Sequence, residues 1–388
     1  MRDRHRPART RRPPHRRGRP VTARRTITRR APGKLFVVGE YAVVEPGHPA
    51  ILVAVDRHVA VTVTGSGGDD VVIDSDLRPE PARWRRRDEG LGPVDGRAPD
   101  GLTHVVSAIE VVDALLAERG LRPAPMRVSI RSGLHRAGTK LGLGSSGAVT
   151  VAAVSAVAAH RGLDLSPADR FRLALLASAR RDPGGSGGDL AAAVWGGWIA
   201  YRAPDRAAVL DLARRRGVQE ALRAPWPGFG LRRLPPPRGL ALEVGWTGRP
   251  ADTATLAGRL RTRTWREGAA RHDFLARSDA CVRASIRALE RRDDHELLRR
   301  VRDARKILTD LDGEARLGVF TAELTALCDA AESVGGAAKP SGAGGGDCGI
   351  ALLDAGAEKD IARLRDGWAA AGVVPLPVRV RPPEGNTE

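Results

Sequence analysis

Residues 140–148 read Lys140-Leu-Gly-Leu-Gly-Ser-Ser-Gly-Ala148, a loop of small residues that leads directly into a helical pattern. Small side chains let backbone N–H groups approach an anion closely, and the N-terminus of the next helix adds its positive end. Ser145 and Ser146 offer hydroxyl groups to phosphate oxygens or to Mg²⁺. The loop lacks the Gly-Lys-Ser/Thr ending of a Walker A motif. It predicts a different kind of polyphosphate site, with a tight turn before a buried helix as the alternative.

Two further glycine-rich segments occur, one before and one after residues 140–148 in the chain. In chain order the three segments are called the first, second and third loops, so that residues 140–148 form the second loop. The first loop reads Ala31-Pro-Gly-Lys-Leu-Phe-Val-Val-Gly-Glu-Tyr41 and continues to Glu45-Pro-Gly-His48; its alternative interpretation is a strand with an exposed Lys34. The third loop reads Lys339-Pro-Ser-Gly-Ala-Gly-Gly-Gly-Asp-Cys-Gly349, and its alternative is a flexible connection. A predicted strand follows the third loop directly, and the register of that strand depends on the loop. We therefore expect the third loop to close over phosphate groups through its amides.

The choice between lysine and arginine supports the interpretation of these loops as phosphate-binding. Only five of the 64 basic residues are lysines, namely Lys34, Lys140, Lys306, Lys339 and Lys359. Arginine serves an exposed position as well as lysine does, so a retained lysine indicates a need for a compact ammonium group. Three of the five lie within the three loops.

Hydrophobic patterns predict a mixture of strands and helices without regular βαβ alternation, which favours an α+β fold. Strands are predicted at Leu35–Val38, Ile51–Val55, His58–Thr64, Val71–Asp74, Met126–Arg131, Leu240–Trp246, Gly349–Leu353 and 373–380. Helices are predicted at Leu102–Arg119, Gly147–His160, from the N-cap Ser166 with Pro167 at its first position, and near 251–312, 317–333 and 357–371. Residues 65–101 otherwise indicate a loop region, and Pro204–Pro237 a connection between two domains.

Composition narrows the class of protein. The chain has 388 residues, enough for two domains, and 42% of them are hydrophobic. It has neither an apolar run of roughly 20 residues nor an N-terminal apolar segment of the secretory type. Its three cysteines have no metal-binding or disulfide spacing. We expect a cytoplasmic protein that is a monomer or homodimer.

The net charge of +18 comes mostly from one end of the chain. Residues 1–30 carry 13 arginines and a single acid, Asp3, which is +12 of the total. One interpretation is a disordered extension, and another is an arm that binds nucleic acid through counterion release. A third is translation from Val21. No aromatic residue lies among these arginines, which argues against base stacking.

Taken together and in this order, the three loops resemble those of the GHMP kinases, which include galactokinase, homoserine kinase, mevalonate kinase and phosphomevalonate kinase. The resemblance runs from Ala31 to Val380. It implies a two-domain α+β fold, with an N-terminal ribosomal-protein-like α/β domain and a C-terminal ferredoxin-like α+β domain. We expect a disordered basic extension at 1–30, the N-terminal domain with the ATP phosphate loop at 31–230, and the C-terminal domain at 231–388.

Details resemble the phosphomevalonate kinase branch of this family. Mevalonate kinases usually have His in place of Tyr41 and generally have Gly where Asp347 stands. Residues 185–196 (Gly-Ser-Gly-Gly-Asp-Leu-Ala-Ala-Ala-Val-Trp-Gly) and 244–253 (Val-Gly-Trp-Thr-Gly-Arg-Pro-Ala-Asp-Thr) are also similar to that branch. The resemblance implies transfer of the ATP γ-phosphoryl group to 5-phosphomevalonate with Mg²⁺, and no membrane or nucleic-acid partner. The alternatives are mevalonate kinase, another GHMP kinase, or a nucleic-acid-binding protein that uses the basic arm.

The resemblance also implies roles for individual residues. Lys34 and Asp189 would be the catalytic pair, and Ser146 would ligate Mg²⁺. The ATP phosphates would lie against Lys140, Gly142, Leu143, Gly144, Ser145, Ser146 and Gly147. The acceptor would be held by Tyr41, Arg202, Arg249, Lys339, Ser341, Gly342 and Ala343. Mevalonate kinases place a metal-binding Glu about eleven residues before the catalytic Asp; Ser178 stands there in this chain, which leaves Asp182 or water as the second ligand.

Overall fold

The computed structural model describes residues 25–88, 90–96, 101–251, 256 and 268–383. The first part of the described chain contains ten strands and six α-helices: β1 Thr26–Val38, β2 Pro49–Gly65, β3 Val71–Ser75, β4 Ala82–Arg87, β5 Gly90–Pro93, α1 Thr103–Glu118, β6 Met126–Ser132, β7 His135–Arg136, β8 Thr139–Lys140, α2 Ser145–His160, α3 Pro167–Arg181, α4 Gly188–Trp195, β9 Trp198–Arg202, α5 Arg206–Arg216, α6 Val218–Arg223 and β10 Gly230–Leu234. A short 3₁₀ helix at Ala42–Val44 joins β1 to β2.

The second part of the described chain is smaller. Its elements are β11 Leu240–Trp246, α7 Ala269–Arg291, α8 Asp294–Ala315, α9 Ala322–Ser333, β12 Ala337–Ser341, β13 Cys348–Asp354, α10 Glu358–Ala370 and β14 Val374–Pro375. Among the residues described, no helix is both long and apolar enough to cross a bilayer.

An eight-stranded sheet forms the first half of the molecule. Its strands lie in the order β10-β9-β2-β6-β3-β4-β5, and β1 pairs with β2 alongside this path. Only the β3–β6 pair is parallel among the strand pairs described. The long β1–β2 hairpin runs in register from Thr26 opposite Thr64 to Val38 opposite Ile51. This hairpin is the support on which the first loop is built.

Helix α2 lies on the hairpin and is buried on nearly all sides. Its residues are small and apolar, and 11 of the 16 are buried, so the helix has no solvent-facing stripe. The next helix, α3, begins as predicted, because the Ser166 side chain accepts a hydrogen bond from the Asp169 N–H and Pro167 occupies the first helical position. Both helices match the sequence prediction closely.

A four-stranded antiparallel sheet, in the order β12-β13-β11-β14, forms the second half. Helices α8 and α9 pack on β12, and α7 reaches across to β2 of the first sheet. The end of the chain also returns to the first sheet: the Arg381 N–H donates to Ala54 O, the Gly197 N–H donates to Arg381 O, and Val380 bridges Val55. The two sheets are therefore joined by more than one crossing of the chain, and the expected α+β class is confirmed.

Several sequence predictions were wrong in detail. Order was expected from Ala31, but β1 already includes Thr26–Arg30; residues 1–24 lie outside the described part of the chain. The presumed loop at 65–101 contains β4 and β5 as well as β3. The presumed domain connection at 204–237 contains α5 and α6, and β10 pairs with β9 in the first sheet.

The second half differs in smaller ways. The helical pattern expected from residue 251 falls partly outside the described residues, and its described part forms α7 and α8. The final strand was expected over 373–380. It is limited to Val374–Pro375 and the isolated bridge at Val380; the Leu376 N–H still donates to Val244 O of β11, but this bond does not extend the strand.

Candidate functional site

Lys34 is aimed by a bulge in β1. The register of the β1–β2 pair shifts between Pro32 and Lys34, and the Lys34 N–H donates to Leu143 O, at 2.9 Å, in the second loop. Gly33 permits this approach, because a Cβ there would come within 2.8 Å of the same carbonyl oxygen. Bulges of this kind re-aim side chains near functional sites. The Lys34 side chain is 8% exposed, and its ammonium lies 5.1 Å from the centre of the Phe36 ring.

The second loop delivers the N-terminus of α2 to the same place. Gly142 and Gly144 both have positive φ angles, 74° and 75°, which glycine adopts without strain. Gly144 immediately precedes the helix and has no side chain with which to cap it, and Ser145–Ala148 contains no acidic residue. The first N–H groups of α2 are thus left for an anion, and the positive end of the helix favours one.

Asp189 enters from the opposite side, on the first turn of α4. Its Oδ1 accepts a hydrogen bond from the Leu190 N–H at 3.0 Å, and Gly187, with φ 77°, turns the chain into the helix. A Cβ on Gly144 would lie 3.0 Å from Lys34 Cε and 3.5 Å from Asp189 Cβ. The predicted ammonium and carboxylate therefore flank one glycine at the N-terminus of α2.

The third loop packs against the other two. Ser341 Oγ accepts from the Phe36 N–H at 2.8 Å and donates to Phe36 O at 3.1 Å, so the hydroxyl joins β12 to β1. The Tyr41 hydroxyl donates to Ala343 O, and burial raises the pKa of this phenol. A Cβ on Gly342 would meet nothing within 4 Å, which leaves that part of the third loop facing open space.

Lys339 does not occupy the position expected of an acceptor-binding residue. Its side chain is completely buried and its ammonium pairs with Glu40, which is 3% exposed. The same ammonium donates to Pro340 O at 2.7 Å. The prediction that Lys339 contacts the acceptor phosphate is corrected here, because its charge is already neutralised inside the protein.

Asp347 connects the third loop to the second loop and to the turn after β11. A Cβ on Gly142 would come within 2.4 Å of Asp347 Cβ. The Asp347 N–H donates to Arg249 O at 2.7 Å, and its Oδ1 accepts from the Ala251 N–H at 3.1 Å. Burial raises the pKa of the carboxyl, while the hydrogen bond from Ala251 and the charge of Lys34 oppose that rise. This residue fixes the spacing of the loops.

Cys348 is buried at the same junction. Its thiol donates to Leu141 O at 2.8 Å, and burial raises the thiol pKa. The side chain therefore acts as a small packing group between the second and third loops.

The predicted arginines lie at the margin of this cluster. The Arg249 side chain is 79% exposed, with one guanidinium nitrogen 3.8 Å from Glu323, although its backbone supports Asp347. Arg202, at the end of β9, lies over Gly230 of the neighbouring strand, where a Cβ would come within 2.6 Å of its Nε. Neither contact involves Lys34 or Asp189. A role for either arginine in holding the acceptor stays a prediction.

His104 is a candidate that the sequence did not reveal. It is the second residue of α1, and its Nδ1 is buried with no hydrogen-bond partner in the part of the chain described. Burial lowers the pKa of the imidazole; the charge of Asp189 opposes this, and those of Arg181 and Lys140 add to it. The side chain therefore lies within the field of the same cluster. Only the fold brings it there, since 85 residues separate it from Asp189.

The residues present fit a magnesium ion held mainly by a nucleotide. Within the described ranges, no group of three or more His, Cys, Asp or Glu side chains forms a ready-made metal site. The exposed Ser146 and the carboxylate of Asp182 supply oxygen atoms, although Asp182 Oδ1 already accepts from the Gly184 N–H. Magnesium commonly binds one or two protein oxygens together with phosphates and water, and this donor set is of that kind.

The arrangement is suited to phosphoryl transfer. It combines free amides at a helix N-terminus, an ammonium group, a carboxylate and hydroxyl oxygens around one point. Phosphoryl transfer depends on positioning and on neutralising charge more than on covalent chemistry with the protein.

Comparison with known proteins agrees with this geometry. The family model for the GHMP kinases N terminal domain matches residues 104–197, and that for GHMP kinases C terminal matches residues 285–370. The chain is 61% identical, over 366 residues, to the phosphomevalonate kinase of Streptomyces sp. (strain CL190), covering 92% of this chain and 98% of that protein. It is 29% identical to the mevalonate kinase of Aeropyrum pernix, covering 86% and 90% of the two chains.

Solved structures give the same result. The Streptococcus pneumoniae phosphomevalonate kinase, in complex with phosphomevalonate and AMPPNP, superposes with a TM-score of 0.80 at 28% identity, covering 92% of this chain and all of that one. A Lactococcus lactis galactokinase shares the fold at 13% identity, with a TM-score of 0.65.

Proposed function

The chain belongs to the GHMP kinase family, and from that premise we propose that it is a phosphomevalonate kinase, which transfers the γ-phosphoryl group of ATP to (R)-5-phosphomevalonate. The products are diphosphomevalonate and ADP. The observation that carries the proposal is the meeting of Lys34, Asp189 and the free N-terminus of α2 around Gly144. The 61% identity to a phosphomevalonate kinase supports this choice of acceptor.

In this proposal, the second loop holds the ATP phosphates. The free N–H groups of Ser145, Ser146 and Gly147 donate to phosphate oxygens, and the positive end of α2 offsets their charge. Lys34 faces the transferred group and stabilises the charge that accumulates there in the transition state. Magnesium, held by Ser146 and the nucleotide, neutralises part of the phosphate charge when bound.

Asp189 has a limited role as a base in this reaction. The second pKa of a phosphate monoester is about 6, so at neutral pH the acceptor is already mostly an oxyanion. We infer that Asp189 mainly orients Lys34 and the acceptor, and removes any remaining proton. Its position beside Gly144, next to the Lys34 side chain, supports this role.

The acceptor would lie on the open side of the third loop. Gly342 borders open space there, and Tyr41 and Ala343 form the adjoining hydrogen-bonded surface. Arg249 is exposed on the turn that Asp347 supports, so its side chain is free to move towards a second phosphate. Ser341 supports this surface by holding it to β1.

A side-by-side assay of ADP release tests the proposal. Mevalonate, 5-phosphomevalonate and galactose are supplied at equal concentration with Mg-ATP, and only 5-phosphomevalonate is expected to support rapid turnover. Preference for mevalonate would replace the proposed acceptor and keep the family. A chain lacking residues 1–20 should turn over at the same rate, whereas a nucleic-acid-binding function would lose salt-dependent affinity for DNA or RNA in that variant.

A further inference from the structure

Three contacts join the first loop to the third. Lys339, Ser341 and Ala343 alternate along β12 and the third loop, and each contacts a different residue of the first loop. The contacts are Lys339 with Glu40, Ser341 with Phe36, and Ala343 with Tyr41. Residues that resemblance assigns to acceptor binding therefore hold two halves of the site together.

The Glu40–Lys339 pair is unusual among these contacts because it is ionic and buried. Lys339 is 0% exposed and Glu40 is 3% exposed. Moving two charges out of water costs free energy that their mutual attraction repays only in part, so a matched apolar pair is often equally stable or more so. In addition, Glu40 Oε2 is buried with no hydrogen-bond partner in the described part of the chain. Stability alone does not account for this pair.

The location of the pair points to a different role. Glu40 lies in the turn that follows the strand carrying Lys34, and Lys339 lies in β12 at the start of the third loop. Asp347, at the other end of that loop, packs on Gly142 of the second loop. The Glu40–Lys339 pair is therefore connected, through the third loop, to the second loop.

We propose that Glu40 and Lys339 are positioning residues, whose buried ion pair fixes the third loop against the strand that carries Lys34. A charged pair specifies one partner and one separation, whereas an apolar pair of similar size tolerates several. The inference rests on the proposed kinase function. It goes beyond that function, because neither residue contacts the reacting groups in this assignment.

The test separates stability from turnover by replacing both charged residues with methionine, which is of similar length and uncharged. Each single variant, Glu40→Met or Lys339→Met, leaves the charge of the other residue buried without a partner. The double variant contains neither charge. Expected results are a large loss of melting temperature in Lys339→Met, recovery in the double variant, and a kcat in the double variant that stays about tenfold or more below wild type.

Glu40→Gln provides a second variant that keeps the shape of the side chain. Its amide oxygen still accepts from the Lys339 ammonium, so it is expected to fold, with a kcat reduced in the same direction. If the double variant does not fold, Glu40→Gln decides the question. A wild-type kcat in Glu40→Gln, or in a folded double variant, would overturn the inference.

Two controls make the readout specific. Leu116→Ala creates a cavity near the C-terminal end of α1, at a buried residue outside the three loops, and should lower the melting temperature while kcat, measured well below the transition, stays near wild type. Glu243→Met with Arg365→Met removes an ion pair between β11 and α10, outside the three loops, and should leave kcat near wild type. A kcat that falls in Leu116→Ala as far as in the double variant would also reject a positioning role. If the wild type itself phosphorylates no acceptor, the proposed function fails instead.

Discussion

The carboxylate of Asp189 lies against the first turn of α2 at Gly147: a Cβ atom on Gly147 would come within 2.3 Å of Asp189 Oδ2. Real Cβ atoms do not approach oxygen this closely, so any larger residue at this position displaces the carboxylate. The glycine thus allows an acidic group and the positive end of a helix to share one side of the site.

Gly147→Ala is expected to lower kcat by about tenfold or more, because Asp189 must move away from Lys34 and the nucleotide. Alanine has a higher helix propensity than glycine. Helix propensity alone therefore predicts that Gly147→Ala stabilises the fold, although kcat falls. The measurement is steady-state ADP release with 5-phosphomevalonate. The matched control is Gly313→Ala in α8, where a new Cβ meets nothing within 4 Å and should stabilise the fold by about 0.5–1 kcal/mol at unchanged kcat. Equal kcat values in the two variants would contradict the steric argument.

Lys34→Met is expected to lower kcat by about 10²-fold or more, since it removes a preorganised charge from the site of transfer. Asp189→Asn should have a smaller effect at neutral pH, because the acceptor is already ionised and the amide keeps the shape of the side chain. Circular dichroism and melting temperature serve as checks that both variants fold. Full activity in both purified variants would remove the site assignment.

Ser146→Ala is expected to raise the Mg²⁺ concentration needed for half-maximal activity, because it removes a ligand oxygen from the metal. Ser145→Ala is the matched neighbour; it removes the adjacent hydroxyl and should leave the Mg²⁺ dependence close to wild type. Titration of Mg²⁺ at fixed, saturating ATP measures the difference. An identical shift in both variants would mean that the hydroxyls bind phosphate and not the metal.

His104→Gln is expected to change how stability depends on pH. Burial lowers the pKa of the His104 imidazole, so the unfolded chain binds this proton more readily than the folded one. The stability contributed by the neutral imidazole is complete above about pH 6.5 and is lost as the pH falls towards the lowered pKa. The variant should therefore lose less stability than wild type between pH 7.5 and pH 5.

Urea unfolding across that range measures the effect on His104. His295→Gln is the control, since His295 is exposed on α8. Parallel curves for wild type and His104→Gln would show that the imidazole titrates alike in both states.

Elements with strong local signals were predictable from the sequence. The α3 start rests on Ser166 and Pro167, and the bounds of β11 were predicted to the residue, because a strand between turns leaves a clear apolar run. The second loop was predicted to be an anion site because its glycines and the following helix are adjacent in the chain, and that part stays a prediction. These features depend on short stretches of sequence.

Elements that depend on distant partners were not predictable. The strand β4 reads Ala-Arg-Trp-Arg-Arg-Arg, which resembles an exposed loop until Ala82 and Trp84 are seen to be buried on alternate positions. Two of its arginines, Arg83 and Arg85, pair with Asp70, which the composition does not reveal.

Lys339 is a second case in which the sequence did not reveal a distant partner. Lys339 was singled out as a position that uses an ammonium group, and its partner Glu40 is 299 residues away. The sequence therefore indicated the chemistry of the position and not its role. A glycine-rich setting suggested a phosphate, whereas the fold supplies a carboxylate.

The return of the chain end to the first sheet has a consequence for how the molecule denatures. Arg379, Val380 and Arg381 bond to residues of β2 and its neighbour after the chain has completed the second sheet. Neither half can melt fully without releasing this last segment from the other. Calorimetry should therefore record one cooperative heat-absorption peak, and truncation of the chain after Val378 should split or broaden it.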